Sequence, residues 1–163
     1  MEFRADDYFH AGQERMSEAL AIFNRGQSYA LAMYCAGLAV ECLLRAFRWD
    51  KHRSFEGRHD LGDLLKASDL LVIDEDYMRR QGVREDDIDS LAIGLRAAIS
   101  EVIALWHNNL RFASERRLRA WLNQLDRLQG IRGNARKKNA KDLLSAAQRV
   151  IERGVALWNS KKK

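Results

Sequence analysis

Ser28–Trp49 reads SYALAMYCAGLAVECLLRAFRW, and nearly everything between Tyr29 and Phe47 is apolar or small. The exceptions are Glu41 and Arg45. A helix that is apolar on nearly all sides has to be enclosed on nearly all sides. This segment is therefore the expected centre of a helical bundle. It carries one carboxylate, Glu41, into that centre, where an unpaired charge is too costly to hold. Arg45 lies one turn on, in the favoured acid-then-base order, and the two form the expected buried pair. Ala32, Ala36 and Ala39 make a small-residue stripe that lets a neighbouring helix come close.

The rest of the chain agrees with an all-α fold. Its 163 residues suit one domain, 1–163, with a real apolar core. There is no proline, the residue that most often interrupts helices. Alternation rich in Val, Ile and Thr is missing, and Thr does not occur. A first helix is expected over Asp6–Arg25, with Phe9, Met16, Leu20 and Phe23 on one face and Gly26 to stop it. Ser28 then caps the central helix. Lys51–Arg58 reads as a charged loop and Asp60–Leu71 as a short helix, while Asp74–Gly82 is open between helix and ordered loop. The next long helix, capped by Asp86 or Asp87, turns Ile88, Leu91, Leu95, Ala98, Val102 and Trp106 inward. Ser114-Glu115 opens another, with Leu118, Trp121, Leu122, Leu125 and Leu128 at regular spacing. Gly130–Asn139 is a basic connector, Ala140–Trp158 a last helix and 159–163 a basic tail. About five helices with short connections make an antiparallel up-and-down bundle.

Cys35 and Cys42 lie about 10.5 Å apart along one helix axis, too far for a disulfide. They read as small core residues of a reducing compartment. The N-terminal MEFRADDYF lacks the apolar stretch of a signal peptide. The uncharged run of the central helix ends at Glu41, short of the roughly 20 residues a membrane span needs. A cytoplasmic protein with no membrane contact is expected.

Net charge is +5 and the pI about 9.4, but the basic residues are clustered. Arg116, Arg117 and Arg119 form one group. Arg132, Arg136, Lys137, Lys138 and Lys141 form a second, and Lys161, Lys162 and Lys163 end the chain. Such groups are either solvated helix faces or a phosphate-contacting surface. Trp49, Trp106, Trp121 and Trp158 occupy apolar faces or helix ends and read as core anchors. The scattered histidines give no metal-ligand spacing, no G-x-x-x-x-G-K motif is present, and no cofactor is expected.

Three elements in order resemble the HEPN (higher eukaryotes and prokaryotes nucleotide-binding) family. Tyr34, Ala36, Gly37, Ala39, Val40, Glu41, Leu44 and Arg45 resemble its second helix. His59, Asp60, Leu61, Leu64 and Leu65 resemble its HDL..LL element. Trp106 with Arg111-Phe112 resembles its W...RY element, with Phe for Tyr. The likeness spans Asp6 to Phe112 and the final helix; 114–138 does not match and looks like a helical insertion. The resemblance implies a bundle that usually dimerises. It also implies one of two roles: a metal-independent RNase, often a toxin of a toxin–antitoxin or defence module, or a non-catalytic partner of a small nucleotidyltransferase.

The family's catalytic branch carries Arg followed four to six residues later by His. Here the order is reversed, in Trp106-His107-Asn108-Asn109-Leu110-Arg111. Were the helix to run through Arg111, His107 and Arg111 would project from one face. His107 could then take a 2′-hydroxyl proton, Arg111 grip the phosphate and Asn108 add a donor. The preferred reading is structural: these side chains close the helix, or Arg111 neutralises Glu41. Arg53/His59 and Arg4/His10 also fit the spacing but fall in a loop and at the N-terminus, and His59 with Asp60 has a rival role as a helix cap. The expectation is a non-catalytic member that binds RNA, a nucleotide or a partner protein. The alternatives are a metal-independent RNase using His107 and Arg111, and a structural dimeric regulatory subunit.

Overall fold

Ser28 starts the central helix as expected, its hydroxyl accepting from the Leu31 amide at 3.2 Å. In the computed structural model, which describes residues 2–52 and 59–161, that helix is α2, Tyr29–Lys51. It is preceded by α1, Ala5–Arg25, which closes on Gly26 in the left-handed region (φ 67°). After α2 come α3 (Leu61–Ser68), α4 (Leu70–Arg80), α5 (Glu85–Leu105), a 3-10 turn (Asn108–Phe112), α6 (Glu115–Gln124) and α7 (Ala135–Ser160). No strand occurs among the described residues, so the fold is an all-α helical bundle. Arg53, most of the 51–58 loop, Lys162 and Lys163 lie outside the described residues.

α2 is the hub. It packs against α1, α3, α5, the 3-10 turn, α6 and α7. Its alanine stripe does what small side chains allow: a Cβ placed on Gly12 of α1 would lie 3.1 Å from the Ala39 carbonyl oxygen. On another side the Trp106 ring lies flat against Gly37, where a Cβ would fall 1.9 Å from Trp106 Cδ1. The indole nitrogen donates to the Tyr34 carbonyl at 3.1 Å. Trp158 of α7 stacks on Phe9 and meets the Phe47 ring edge-on. By length and composition α2 is apolar enough to cross a membrane, since Glu41 does not end it as a helix; 72% of that stretch is buried inside the protein.

Several expectations are corrected by tertiary packing. Lys51 is the last residue of α2 rather than the start of a loop. The single helix foreseen over Asp60–Leu71 is broken at Asp69, whose φ of 52° turns the chain into α4, and α4 settles 74–82 as helical to Arg80. Neither Asp86 nor Asp87 caps α5; the N-cap is Arg84, and the acidic residues occupy the first turn, where they favour the helix dipole. Leu91 lies on the inward arc of α5 as expected but is not covered there, and it is 57% exposed. α6 stops at Gln124, because Asp126 adopts a left-handed φ of 55°, and this leaves Leu125 exposed. α7 starts five residues earlier than Ala140, since the Asn134 side chain caps it. The second half of the basic connector is thereby helix. Buried Asn139 ties it back, donating to the Arg127 carbonyl at 2.9 Å.

The Gly37–Trp106 contact leaves no room for a methyl group. Gly37→Ala is expected to destabilise the fold by about 2 kcal/mol through overpacking, read as a lower urea midpoint with unchanged m-value.

Candidate nucleic-acid interface

Glu41, 2% exposed, is where the sequence placed it, and Arg45 meets it. Arg45 Nε donates to Glu41 Oε1 at 2.8 Å and Nη2 lies 2.6 Å from the same oxygen. The second partner is not Arg111 but His59, whose Nδ1–H donates to the carboxylate at 2.9 and 3.0 Å. His59 is therefore no helix cap; Asp60 alone caps α3, accepting from the Asp63 amide. The His-Asp-Leu run thus divides its work, with His59 closing over the buried acid, Asp60 starting the helix and Leu61 entering the core. Arg45 is nearly buried and the His59 ring half-exposed. This is a structural closure of α2's one internal charge.

The same burial acts on the cysteines. Cys42, beside Glu41, has its thiol pushed up to about 11, first by desolvation and then by the neighbouring carboxylate. Cys35 is raised by burial as well. Both are free thiols. No group of metal-ligating side chains occurs among the described residues.

The His107–Arg111 face does not form. α5 ends at Leu105, and Trp106 and His107 are extended (φ −112° and −144°). The physical reason is Trp106: seating its ring on Gly37 pulls the chain out of the helix. His107 becomes the cap of the 3-10 turn, its Nδ1 accepting from the Asn109 amide at 3.1 Å. The neutral ring then carries its proton on Nε2, and its lone pair is committed to the backbone. That arrangement is a poor general base. Asn108 Oδ1 is buried without a hydrogen-bond partner among the described residues. Arg111 is exposed, its guanidinium 4.5 Å above the Phe112 ring.

Basic residues gather next to that turn. In α6 the Ser114 hydroxyl accepts from the Arg117 amide, and Leu118 and Leu122 point into the core. This helical register turns Arg116, Arg117 and Arg119 to solvent, and none of them has an acidic partner among the described residues. Lys137 is also exposed and unpaired there. Arg136 and Lys138 are not free. Arg136 lies 3.4 Å from Glu115, a carboxylate fixed by the Ala30 amide at 3.0 Å, and Lys138 pairs with Asp142. The Phe112 ring is 76% exposed. Trp121 packs half-buried against the main core, and its remaining surface lines a cavity of about 220 Å³ with His107 and Arg117. Phe112 and Trp121 flank these cations along the chain, and both keep some ring surface exposed. No protein-family profile, no curated protein and no solved structure matches the chain, so the class that the fold defines is the all-α bundle.

Two outcomes check the buried site. Glu41→Ala strands Arg45 and is expected to cost about 3 kcal/mol of unfolding free energy, measured by denaturant titration. For Cys42, a thiol raised from 9.0 to about 11 is protonated at pH 8, so its alkylation should run about 100-fold slower than an ordinary thiol and speed up towards pH 11. Because the folded state holds this proton more tightly than the unfolded chain does, stability declines as pH rises from 9 through about 11.

Proposed function

We propose that this chain is a HEPN-type protein of a toxin–antitoxin or defence module that binds single-stranded RNA and does not cut it through His107 and Arg111. The observation that carries this reading is the surface of α6 and the turn before it. Arg116, Arg117 and Arg119 stand without acidic partners among the described residues, and Phe112 in the turn just before α6 is 76% exposed under the Arg111 guanidinium. Unneutralised guanidiniums track a phosphate backbone by releasing counterions. An exposed ring with a cation over it is a stacking platform for an unpaired base. The committed lone pair of His107 and the end of α5 at Leu105 argue against the RNase alternative. A homodimer, a nucleotidyltransferase-like partner and a cytoplasmic setting belong to the same proposal. A purely structural subunit is the competing class, and it needs no free cations on this face.

Binding of a short single-stranded oligoribonucleotide, followed by fluorescence anisotropy across a salt series, separates these readings. RNA binding predicts a log–log salt slope that falls by about 2 when Arg116, Arg117 and Arg119 are all replaced by Ala, at about 0.7 per single-strand phosphate contact. Phe112→Ala should weaken binding by about 1–3 kcal/mol with the slope unchanged. Absence of binding at low salt, or a triple variant that binds like the parent, refutes the proposal. Cleavage in chelator that disappears in His107→Ala would establish the RNase instead.

A further inference from the structure

A second site lies away from this surface, between α4, α5 and α7. The main core does not extend to the start of α5. Met78, Ile88 and Ala92 form a separate buried cluster with Val83 against it, and a cavity of about 440 Å³ opens between the two. Its wall takes Met78 and Val83 from the small cluster and Leu95 from the large one. Leu91 shows that the space is built into the helix register. At 100° per residue, Leu91 falls inside the arc of α5 bounded by Ala92 and Ala98, both buried. It is nevertheless 57% exposed, because it faces this cavity and no protein fills it. Gly94 lies on the same wall, and a Cβ there would meet nothing within 4 Å.

The polar groups sit on the facing helices. Asp74 is buried and hydrogen-bonded to Arg153 Nε, and the Arg153 guanidinium lies 5.1 Å over the Tyr77 ring. That pair is neutral overall and fixes two side chains of the wall. Arg149, one turn earlier on α7, also lines the cavity; it is exposed and has no ion pair among the described residues. The other lining side chains carry no charge. The cavity thus offers an apolar body, one uncompensated guanidinium at its mouth and a net charge of one positive unit. Its volume suits a small molecule. We propose that this cavity binds a small organic acid with an apolar body and a single carboxylate, the carboxylate paired with Arg149 and the body lying against Leu91, Met78 and the bare backbone of Gly94. A planar guanidinium matches a carboxylate in two hydrogen bonds. A dianionic head would leave a surplus negative charge close to Asp74.

Isothermal titration calorimetry with 4-phenylbutyrate tests this on the full chain. The alcohol 4-phenylbutan-1-ol and the amine 4-phenylbutylamine, which share its carbon skeleton, together with phenethyl phosphate, serve as the comparison. Expected is saturable binding of the acid, about tenfold weaker binding of the alcohol and none of the amine. Arg149→Gln, a surface change, should weaken the acid by about tenfold and leave the alcohol unaffected. Gly94→Leu fills the cavity and should abolish binding of both without lowering the melting temperature, since leucine is the better helix former. The proposal is overturned if no heat of binding appears at millimolar acid, if acid and alcohol bind alike, or if phenethyl phosphate binds more tightly than the acid. It is equally overturned if either variant binds 4-phenylbutyrate like the parent. None of these outcomes bears on RNA binding at α6.

Discussion

One carboxylate inside the most enclosed helix sets the terms for the rest of the bundle. α2 is surrounded by α1, α3, α5, α6, α7 and the 3-10 turn, and Glu41 sits within that enclosure. Removing it from water is tolerable only because two donors reach it, Arg45 from one turn along and His59 from 18 positions on. The second donor matters for topology, because it holds the residue preceding Asp60 and α3 against α2. Asp60 then caps α3 directly beside that closure. A single buried charge thus couples the central helix to the start of α3, and it adds to burial, the larger cause, in suppressing the thiolate of neighbouring Cys42.

A second constraint is steric. Gly37 offers a bare patch of backbone, and the Trp106 indole occupies it while donating to Tyr34. Burying so large a ring against a helix is worth more than continuing α5 by another turn. The helix ends at Leu105 and gives way to an extended pair and a 3-10 turn. The consequence is chemical. His107 is spent as a cap, and Arg111 leaves the helix axis to lie over Phe112. A packing decision at Gly37 therefore converts a pair that helical spacing would align for catalysis into a turn carrying a cation on an aromatic ring.

The surface shows the same dependence on context. Leu118 and Leu122 anchor α6, and the register they impose delivers Arg116, Arg117 and Arg119 to solvent. The same packing ties Arg136 to Glu115, taking one member of the second basic cluster out of play. Charge counted along the chain overstates what that cluster has available.

The sequence by itself determined the all-α class, the identity of the central helix, the Glu41–Arg45 pair and the alanine stripe. Each of these is set within a few turns of one helix, where periodicity of 3.6 residues and i,i+4 spacing speak directly. Only the tertiary structure decided where α5 stops, which histidine closes over Glu41, which cations stay unpaired, and that Leu91 faces a cavity. Those outcomes depend on contacts between residues far apart in the chain: Gly37 with Trp106, Glu41 with His59, Glu115 with Arg136, and Asp74 with Arg153. Spacing along one helix carries no information about such meetings, because they arise only when separate helices compete for the same volume.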